Sequence, residues 1–137
     1  EAIKKLNVIN VGLTGGECTI NPYLDLIIDE LGKESIVIID TNGTLDTLTN
    51  IIPNLKSVNS LVRISIDSLD KKINNLVRPA KNKNIDTLEK IEENLNNLLN
   101  NKINVLIHTV VTKYNFEELD LIAYYLEKKG IKRWHLY

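Results

Sequence analysis

The residues of this sequence that are best suited to chemistry follow its first predicted strand. Thr14, Gly15, Gly16 and Glu17 come directly after the apolar run Asn7–Leu13. Two consecutive glycines let a ligand approach backbone N–H and C=O groups closely, because no Cβ intervenes. The Glu17 carboxylate is a good acceptor for a cationic amine. This spacing predicts a site for a zwitterionic ligand, while a plain turn with Glu17 favoured by a helix dipole is the structural alternative.

Polar side chains also follow the other predicted strands. Ligands of parallel α/β folds bind at the carboxyl ends of the strands, so these positions are candidate binding residues. They are Asp40, Thr41, Asn42 and Gly43 after the second strand, Ser65, Asp67 and Ser68 at the third, and Thr109 and Thr112 at the fourth. For Thr41 and Asn42, an Asn-Gly turn is the alternative interpretation.

Short β-branched runs alternate with longer amphipathic stretches, which predicts βα units around a parallel sheet. The predicted strands are Asn7–Leu13, Ser35–Asp40, Leu61–Asp67, Val105–Val111 and Arg133–Tyr137. The first predicted helix has Leu24, Ile27, Ile28 and Leu31 on its apolar face, and a weaker helix or turn spans Leu45–Ile52 before Pro53. The next helix runs through Ile73 and Leu76 and is capped by Ser68 and Asp70. Two further helices are predicted over Ile85–Leu99 and after Asn115. The fold class is therefore α/β.

Two features of the helices concern their surfaces and ends. Asn115 with Glu118 three residues later resembles a capping box, and Phe116 is the first residue of the apolar stripe of the helix that follows. Many of the abundant asparagines are interpreted as lying on exposed helix faces, with no function attached to them. The polar segment Arg78–Asn84 is predicted to be an irregular loop.

The order of the motifs closely resembles the core of radical S-adenosylmethionine (SAM) enzymes. The shared pattern is strand-T-G-G-E, strand-T-N-G, strand-S-I-D-S-L-D, an R-P loop, strand-T-V-V-T-K-Y-N and a closing R-W-H-L-Y. The resemblance runs nearly end to end and implies a partial (βα) barrel that holds SAM against a [4Fe-4S] cluster. It implies that Gly15, Gly16 and Glu17 bind the methionine amino group. The remaining cofactor-binding residues that it implies are Asn42, Ser65, Asp67 and Arg78, with Ser65 near the ribose and carboxylate and Arg78 paired with the carboxylate.

Two departures from the family pattern change what we expect of this chain. Cys18 stands where the family usually has proline, as either a small buried residue or a reactive thiol. The CxxxCxxC motif that ligates the cluster is absent, and the chain has one cysteine and no methionine. Because a cluster needs cysteine thiolates, we interpret residues 1–137 as a single domain, an internal segment of a radical SAM enzyme that lacks the first barrel strand. The segment alone is expected to be inactive, with the cluster held by the parent protein.

Composition limits the partners and the location of the protein. Its 17 basic and 18 acidic residues leave a net charge of -1, which disfavours nucleic-acid binding and gives no long-range electrostatic attraction to an anionic membrane. The sequence contains no apolar run of membrane-spanning length, and we expect no signal peptide and a reducing cytoplasm. His108 is expected to pack in the core or the barrel lumen, and His135 to reach toward a substrate. No spacing links them as metal ligands, so no protein-bound metal is predicted.

The leading hypothesis is a parent enzyme that cleaves SAM reductively and abstracts a hydrogen atom from its substrate. Glycyl-radical enzyme activators, peptide-modifying maturases, viperin-like enzymes and molybdenum-cofactor-type cyclases share the motifs, and the R-W-H-L-Y ending favours the viperin-like ones. The alternative is a non-catalytic α/β module that has lost the cluster and binds a nucleotide or a protein. A phosphate-binding half-barrel is disfavoured, since Glu17 repels an anion. The strand edge left open by the missing first strand is expected to support dimerisation.

Overall fold

A parallel sheet organises the part of the chain that the computed structural model describes, residues 5–77 and 87–137. Within those residues the sheet has five strands in chain order, and every neighbouring pair is parallel. The strands are β1 (Asn10–Leu13), β2 (Ile36–Thr41), β3 (Ser60–Ser65), β4 (Val105–Thr109) and β5 (Trp134–Leu136). The predicted α/β class with a parallel sheet is confirmed.

Helices connect successive strands. They are α1 (Leu24–Leu31), α2 (Thr47–Asn50), α3 (Ile52–Ser57), α4 (Lys71–Val77), α5 (Thr87–Asn100) and α6 (Leu119–Lys128), with short 3₁₀ turns at Cys18–Ile20 and Phe116–Glu118. The Asp70 carboxylate caps α4 as predicted, because its Oδ1 accepts hydrogen bonds from the backbone N–H groups of Lys72 and Ile73. Among the described residues, no helix is long and apolar enough to cross a membrane.

The core lies on one face of the sheet. Val37, Ile39, Val62, Ile64 and Ile107 are fully buried there, under helices that contribute Ile28, Leu95, Leu98 and Ile122. Burial of each such side chain stabilises the fold by about 1.5–3 kcal/mol. Because side chains alternate along a strand, the intervening residues point to the other face.

The second face of the sheet, which we call the open face, carries Asp40, Arg63, Ser65, His108 and His135. Four of these side chains are half-buried and His135 is exposed. The register aligns Asp40 with Arg63, and Ser65 with His108 and then His135. Polar residues from three strands, β3, β4 and β5, therefore share one row near the carboxyl edge of the sheet.

Several element boundaries differ from the prediction. β1 begins three residues later than predicted, at Asn10, because Asn7 has a positive φ of 49° and turns the chain before the strand. The helix or turn predicted over Leu45–Ile52 is present as α2, but Pro53 does not end helical structure at this point. It lies in the first turn of α3, a position where proline is tolerated because that N–H has no partner within the helix.

The predicted capping box at Asn115 and Glu118 is wrong. Asn115 makes no capping hydrogen bond with its side chain and is completely buried, and Glu118 accepts a short hydrogen bond from the Ser68 hydroxyl instead. Phe116 is also misplaced in the predicted apolar stripe, since its side chain is 54% exposed. The pairing of these side chains with distant residues outweighs the local pattern.

Two of the helical asparagines are buried and do not lie on the exposed helix faces expected of many. Asn94 is 1% exposed, and its Nδ2 donates to the carbonyl oxygens of Gly43 at 2.8 Å and Leu45 at 3.1 Å. Asn74 is equally buried and donates to the Thr87 hydroxyl at 3.0 Å. Asn94 thereby fastens the loop that follows β2 to α5.

Candidate functional site

The Glu17 carboxylate joins the loop after β1 to the end of β2. Its Oε1 accepts hydrogen bonds from the Thr19 backbone N–H at 3.2 Å, the Thr19 hydroxyl at 2.7 Å and the Thr41 hydroxyl at 2.8 Å. Its Oε2 accepts one from the Asn42 backbone N–H at 2.8 Å. Since a carboxylate oxygen accepts about two hydrogen bonds, Oε1 is saturated and Oε2 retains capacity for a further donor.

The two glycines before Glu17 form an open cradle. Gly15 has a φ of +112°, a region that favours glycine, and neither Gly15 nor Gly16 has another atom within 4 Å of where a Cβ would stand. Beside this loop lies a cleft of about 470 Å³ that also reaches Gly12, Leu24 and other residues of β1 and α1. That volume lies within the usual range of small-molecule sites.

Asn42 lies next to the cradle, in the loop after β2. Its Oδ1 accepts hydrogen bonds from the Thr44 backbone N–H at 2.9 Å and the Thr44 hydroxyl at 2.7 Å, which closes a turn. The turn continues through Gly43, whose φ is +75°. Asn42 therefore forms the predicted Asn-Gly turn and also lies beside the cradle. Its Nδ2 group donates no hydrogen bond to the described residues.

The candidate residues at the end of the third predicted strand differ in their exposure. Ser65 is half-buried at the end of β3 on the open face, beside His108 in the register. Asp67 is fully buried, and its Oδ1 accepts a hydrogen bond from the Val110 backbone N–H at 2.8 Å. Ser68 is also fully buried. Arg78 lies outside the described residues.

Asn115 is the central residue of the loops after β3 and β4. Its Nδ2 donates to the carbonyl oxygens of Asp67 at 2.7 Å and Val110 at 2.9 Å, and its Oδ1 accepts from the Thr112 backbone N–H at 2.6 Å and hydroxyl at 3.0 Å. Two carbonyls on one side and donors on the other fix the orientation of the amide. The side chain positions Asp67 and Val110, and sequence reasoning assigned it to a helix cap.

The histidines meet on the open face. The rings of His108 and His135 stack with their centroids 5.5 Å apart, and the Tyr137 ring meets His108 edge-on at 5.0 Å. His108 thus faces the side of the sheet opposite the core. In the described part of the chain, no three His, Cys, Asp or Glu side chains are grouped where they could hold a metal ion.

Cys18 has the environment of a structural thiol. Its Sγ donates to the backbone carbonyl of Asp40 at 3.1 Å. Burial, together with the negative charges of Glu17 and Asp40, raises the pKa of the thiol to about 11. Cluster ligands and nucleophiles are thiolates, which this environment disfavours near neutral pH, so the residues present do not fit an iron–sulfur cluster.

The structure therefore brings Gly15, Gly16, Glu17 and Asn42 together at the carboxyl edge of β1 and β2. Ser65 lies one strand further, and Asp67 lies beneath the surface. Sequence reasoning did not identify the roles of Thr19 and Asn115, which contact the loops and not an open surface. The only sequence signal for Asn115 is a polar residue close to a strand end, and that signal is shared with many turns.

Comparison with solved structures shows the same fold in longer proteins. The complex of anSMEcpe with AdoMet and a peptide gives a TM-score of 0.79 at 23% identity, covering 95% of this chain and 37% of that one. A crystal structure of Streptococcus suis SuiB gives 0.78 at 18% identity, covering 93% and 28%. SuiB bound to S-adenosylmethionine gives 0.74 at 21% identity, covering 93% and 29%. The chain thus spans about a third of the length of these proteins.

The family itself is identified from the sequence. Comparison with curated proteins gives no match. The family model of the Radical SAM superfamily matches residues 1–125, which is most of the chain and includes the whole Gly-Gly-Glu loop and the ends of β2, β3 and β4. The parallel sheet agrees with the partial (βα) barrel that the resemblance implied. This chain belongs to the Radical SAM superfamily.

Proposed function

We propose that this chain is the SAM-binding part of an enzyme that cleaves SAM reductively and starts radical chemistry on a substrate. The observation that carries the proposal is the glycine cradle, whose loop the Glu17 carboxylate fixes through two hydrogen bonds with Thr19 and two with the end of β2. A cradle without side chains, bordered by a carboxylate with one unsaturated oxygen, suits the ammonium group of an amino-acid ligand.

Each residue of the site has a separate task in this proposal. The backbone carbonyls of Gly15 and Gly16 and the Oε2 atom of Glu17 receive the methionine ammonium group. The Ser65 hydroxyl and the Asn42 amide donate to the carboxylate or ribose. Asp67 is buried and acts as a positioning residue, because it holds the backbone of Val110 at the adjacent strand end.

The cluster is a separate requirement. When SAM is bound at a reduced [4Fe-4S] cluster, it supplies a 5'-deoxyadenosyl radical that abstracts hydrogen. The single cysteine of this chain does not fit a cluster, so we propose that the ligands come from another part of the whole protein and that this chain alone is inactive. A reducing cytoplasm is the compartment that suits such thiolate ligands.

Calorimetric titration of the chain with SAM tests the binding proposal. Glu17→Gln removes the negative charge from the cradle and should weaken SAM binding about tenfold, the loss typical of one charge-assisted hydrogen bond. Glu127→Gln makes the same chemical change on the exposed surface of α6 and should leave the affinity unchanged. Equal binding by both variants would contradict the role of Glu17.

Because Glu17→Gln also places an amide against the Asn42 N–H, its folding must be checked by circular dichroism. Ser65→Ala is the second variant, since the Ser65 hydroxyl is half-buried and makes no hydrogen bond to the described residues. It should weaken SAM binding without affecting stability. If the wild-type chain binds no SAM at all, the cradle is not sufficient for the cofactor and the proposal for this chain is wrong.

A second candidate function is a module that binds SAM or another nucleotide without cleaving it. The feature that favours this candidate is the single cysteine of the chain, because a cluster needs several cysteine thiolates. Formation of 5'-deoxyadenosine by the whole protein after iron reconstitution and dithionite reduction distinguishes the two. The product supports the enzyme, and SAM binding without product supports the module. The peptide bound to anSMEcpe makes a peptide the first substrate class to test.

A further inference from the structure

Arg63 and Asp40 form an ion pair on the open face, below the glycine cradle. The Arg63 Nε donates a short hydrogen bond to Asp40 Oδ1, and Nη2 donates to Oδ2 at 2.6 Å. Both side chains are about one-quarter exposed, with values of 27% for Arg63 and 26% for Asp40. A two-point contact of this kind fixes the plane of the guanidinium.

The guanidinium of Arg63 has more donors than Asp40 uses. Two of its five N–H groups bind Asp40, and in the described parts of the chain the other three bind no acceptor. The side chain leans across β2 toward β1, where its Nη2 lies 3.8 Å from the point at which a Cβ of residue 12 would stand. Residue 12 is an exposed glycine, so it places no side chain of its own over the guanidinium.

The position relates this donor group to the proposed cofactor site. Gly12 precedes Gly15 by three residues on the same chain segment, which is at most about 10 Å of extended backbone. The position beside Gly12 and Arg63 thus lies on the open face, closer to the amino end of β1 than the cradle does. Asp40 keeps the guanidinium oriented, but it also offsets its charge, so a small anion alone should bind weakly.

We propose that Arg63 is a specificity-determining residue that binds an oxyanion of the substrate, a carboxylate or a phosphate group, over Gly12 on the open face. The identification of this ligand as the substrate rests on the proposed function. The anion site itself depends only on the geometry of Arg63, Asp40 and Gly12. Arginine suits such a group because its planar fork makes two parallel hydrogen bonds.

Nuclear magnetic resonance titration of the chain tests the site directly. The probes are inorganic phosphate and acetate, each added at constant ionic strength, and the readouts are the Arg63 Nε–H and the Gly12 amide resonances. We expect saturable shifts with at least one probe, and the probe that saturates identifies phosphate or carboxylate as the favoured group. Absence of a saturable shift with both probes in the wild-type chain would overturn the proposal.

Two variants make the result specific. Arg63→Lys retains a positive charge for Asp40 but loses the planar fork, and should weaken probe binding at least about tenfold as read at Gly12. Lys56→Gln removes an exposed cation from α3, away from the open face, and should change nothing. Equal affinity of the wild-type chain and Arg63→Lys would overturn the proposal.

A parallel SAM titration separates this proposal from the previous one. If Arg63→Lys loses SAM affinity while probe binding is unchanged, Arg63 serves the cofactor and the proposal is wrong. If the wild-type chain binds phosphate or acetate through Arg63 but does not bind SAM, the anion site is supported and only the proposed function fails.

Discussion

Replacing Asn115 by alanine should lower the free energy of unfolding by about 3 kcal/mol. The side chain makes four hydrogen bonds in a position with no exposed surface. Each is worth about 1 kcal/mol, and water can replace part of those on the half-buried Thr112 side. The carbonyl of Asp67 belongs to a fully buried residue, so no solvent compensates for its lost partner.

Urea unfolding followed by fluorescence measures this loss, because Trp134 is the single tryptophan and packs against the core. Asn115→Asp is a more demanding variant, since it keeps the shape but directs an oxygen at two carbonyls, and it should cost at least as much. Asn100→Ala changes an exposed asparagine and should stay within about 0.5 kcal/mol of the wild type. A loss below about 1 kcal/mol for Asn115→Ala, or a neutral Asn115→Asp, would refute the assigned hydrogen-bond geometry.

Three further predictions concern the loop after β1 and the sheet edge. Gly15→Ala should destabilise the chain by about 1–2 kcal/mol in urea, because its φ is +112°, while Gly16→Ala should have a smaller effect; equal losses would contradict this difference. The pKa of Cys18 rises to about 11 on folding, so the unfolded thiol loses its proton first and stability should fall as the pH rises from about 9 to about 11. Cys18→Ala should abolish that part of the pH dependence, and a variant whose stability falls with pH as steeply as that of the wild type would contradict this role of Cys18. Sedimentation should show reversible dimers formed through β1, one of the two edge strands of the described sheet, and a monomer at high concentration would refute this.

The sequence predicted the order and type of the main elements because their signals are local. The spacing of Leu24, Ile28 and Leu31 and the apolar runs at β2, β3 and β4 depend only on the period of a helix or a strand. The start of β1 was mispredicted because Ile9 is apolar yet 73% exposed. Hydropathy alone does not show that Asn7 adopts a positive φ just before it.

The sequence identified the glycines of the candidate site, but it did not identify the side chains that hold its loops in place. Gly15 and Gly16 form a motif of neighbouring residues, whereas Glu17 contacts Thr41 and Asn42, which are 24 and 25 residues away in the sequence. Asn115 reaches Asp67 across 48 residues. A short local motif gave Asn115 a helix-capping role, and tertiary contacts decided otherwise.

These supports follow one principle, which is that a polar side chain fastens each loop at the carboxyl edge to a neighbouring element. Glu17 ties the loop after β1 to β2, Asn94 ties the loop after β2 to α5, and Asn115 ties the loops after β3 and β4 to each other. Parallel strands need long connections, and the open edge leaves the backbone groups of these loops without ladder partners. Amides suit this task because one side chain both donates and accepts, so the abundance of asparagine contributes to the rigidity of the site. A loss of SAM binding on mutation of Asn94 or Asn115 therefore reports on loop position, whereas Ser65→Ala and a correctly folded Glu17→Gln report on direct contact.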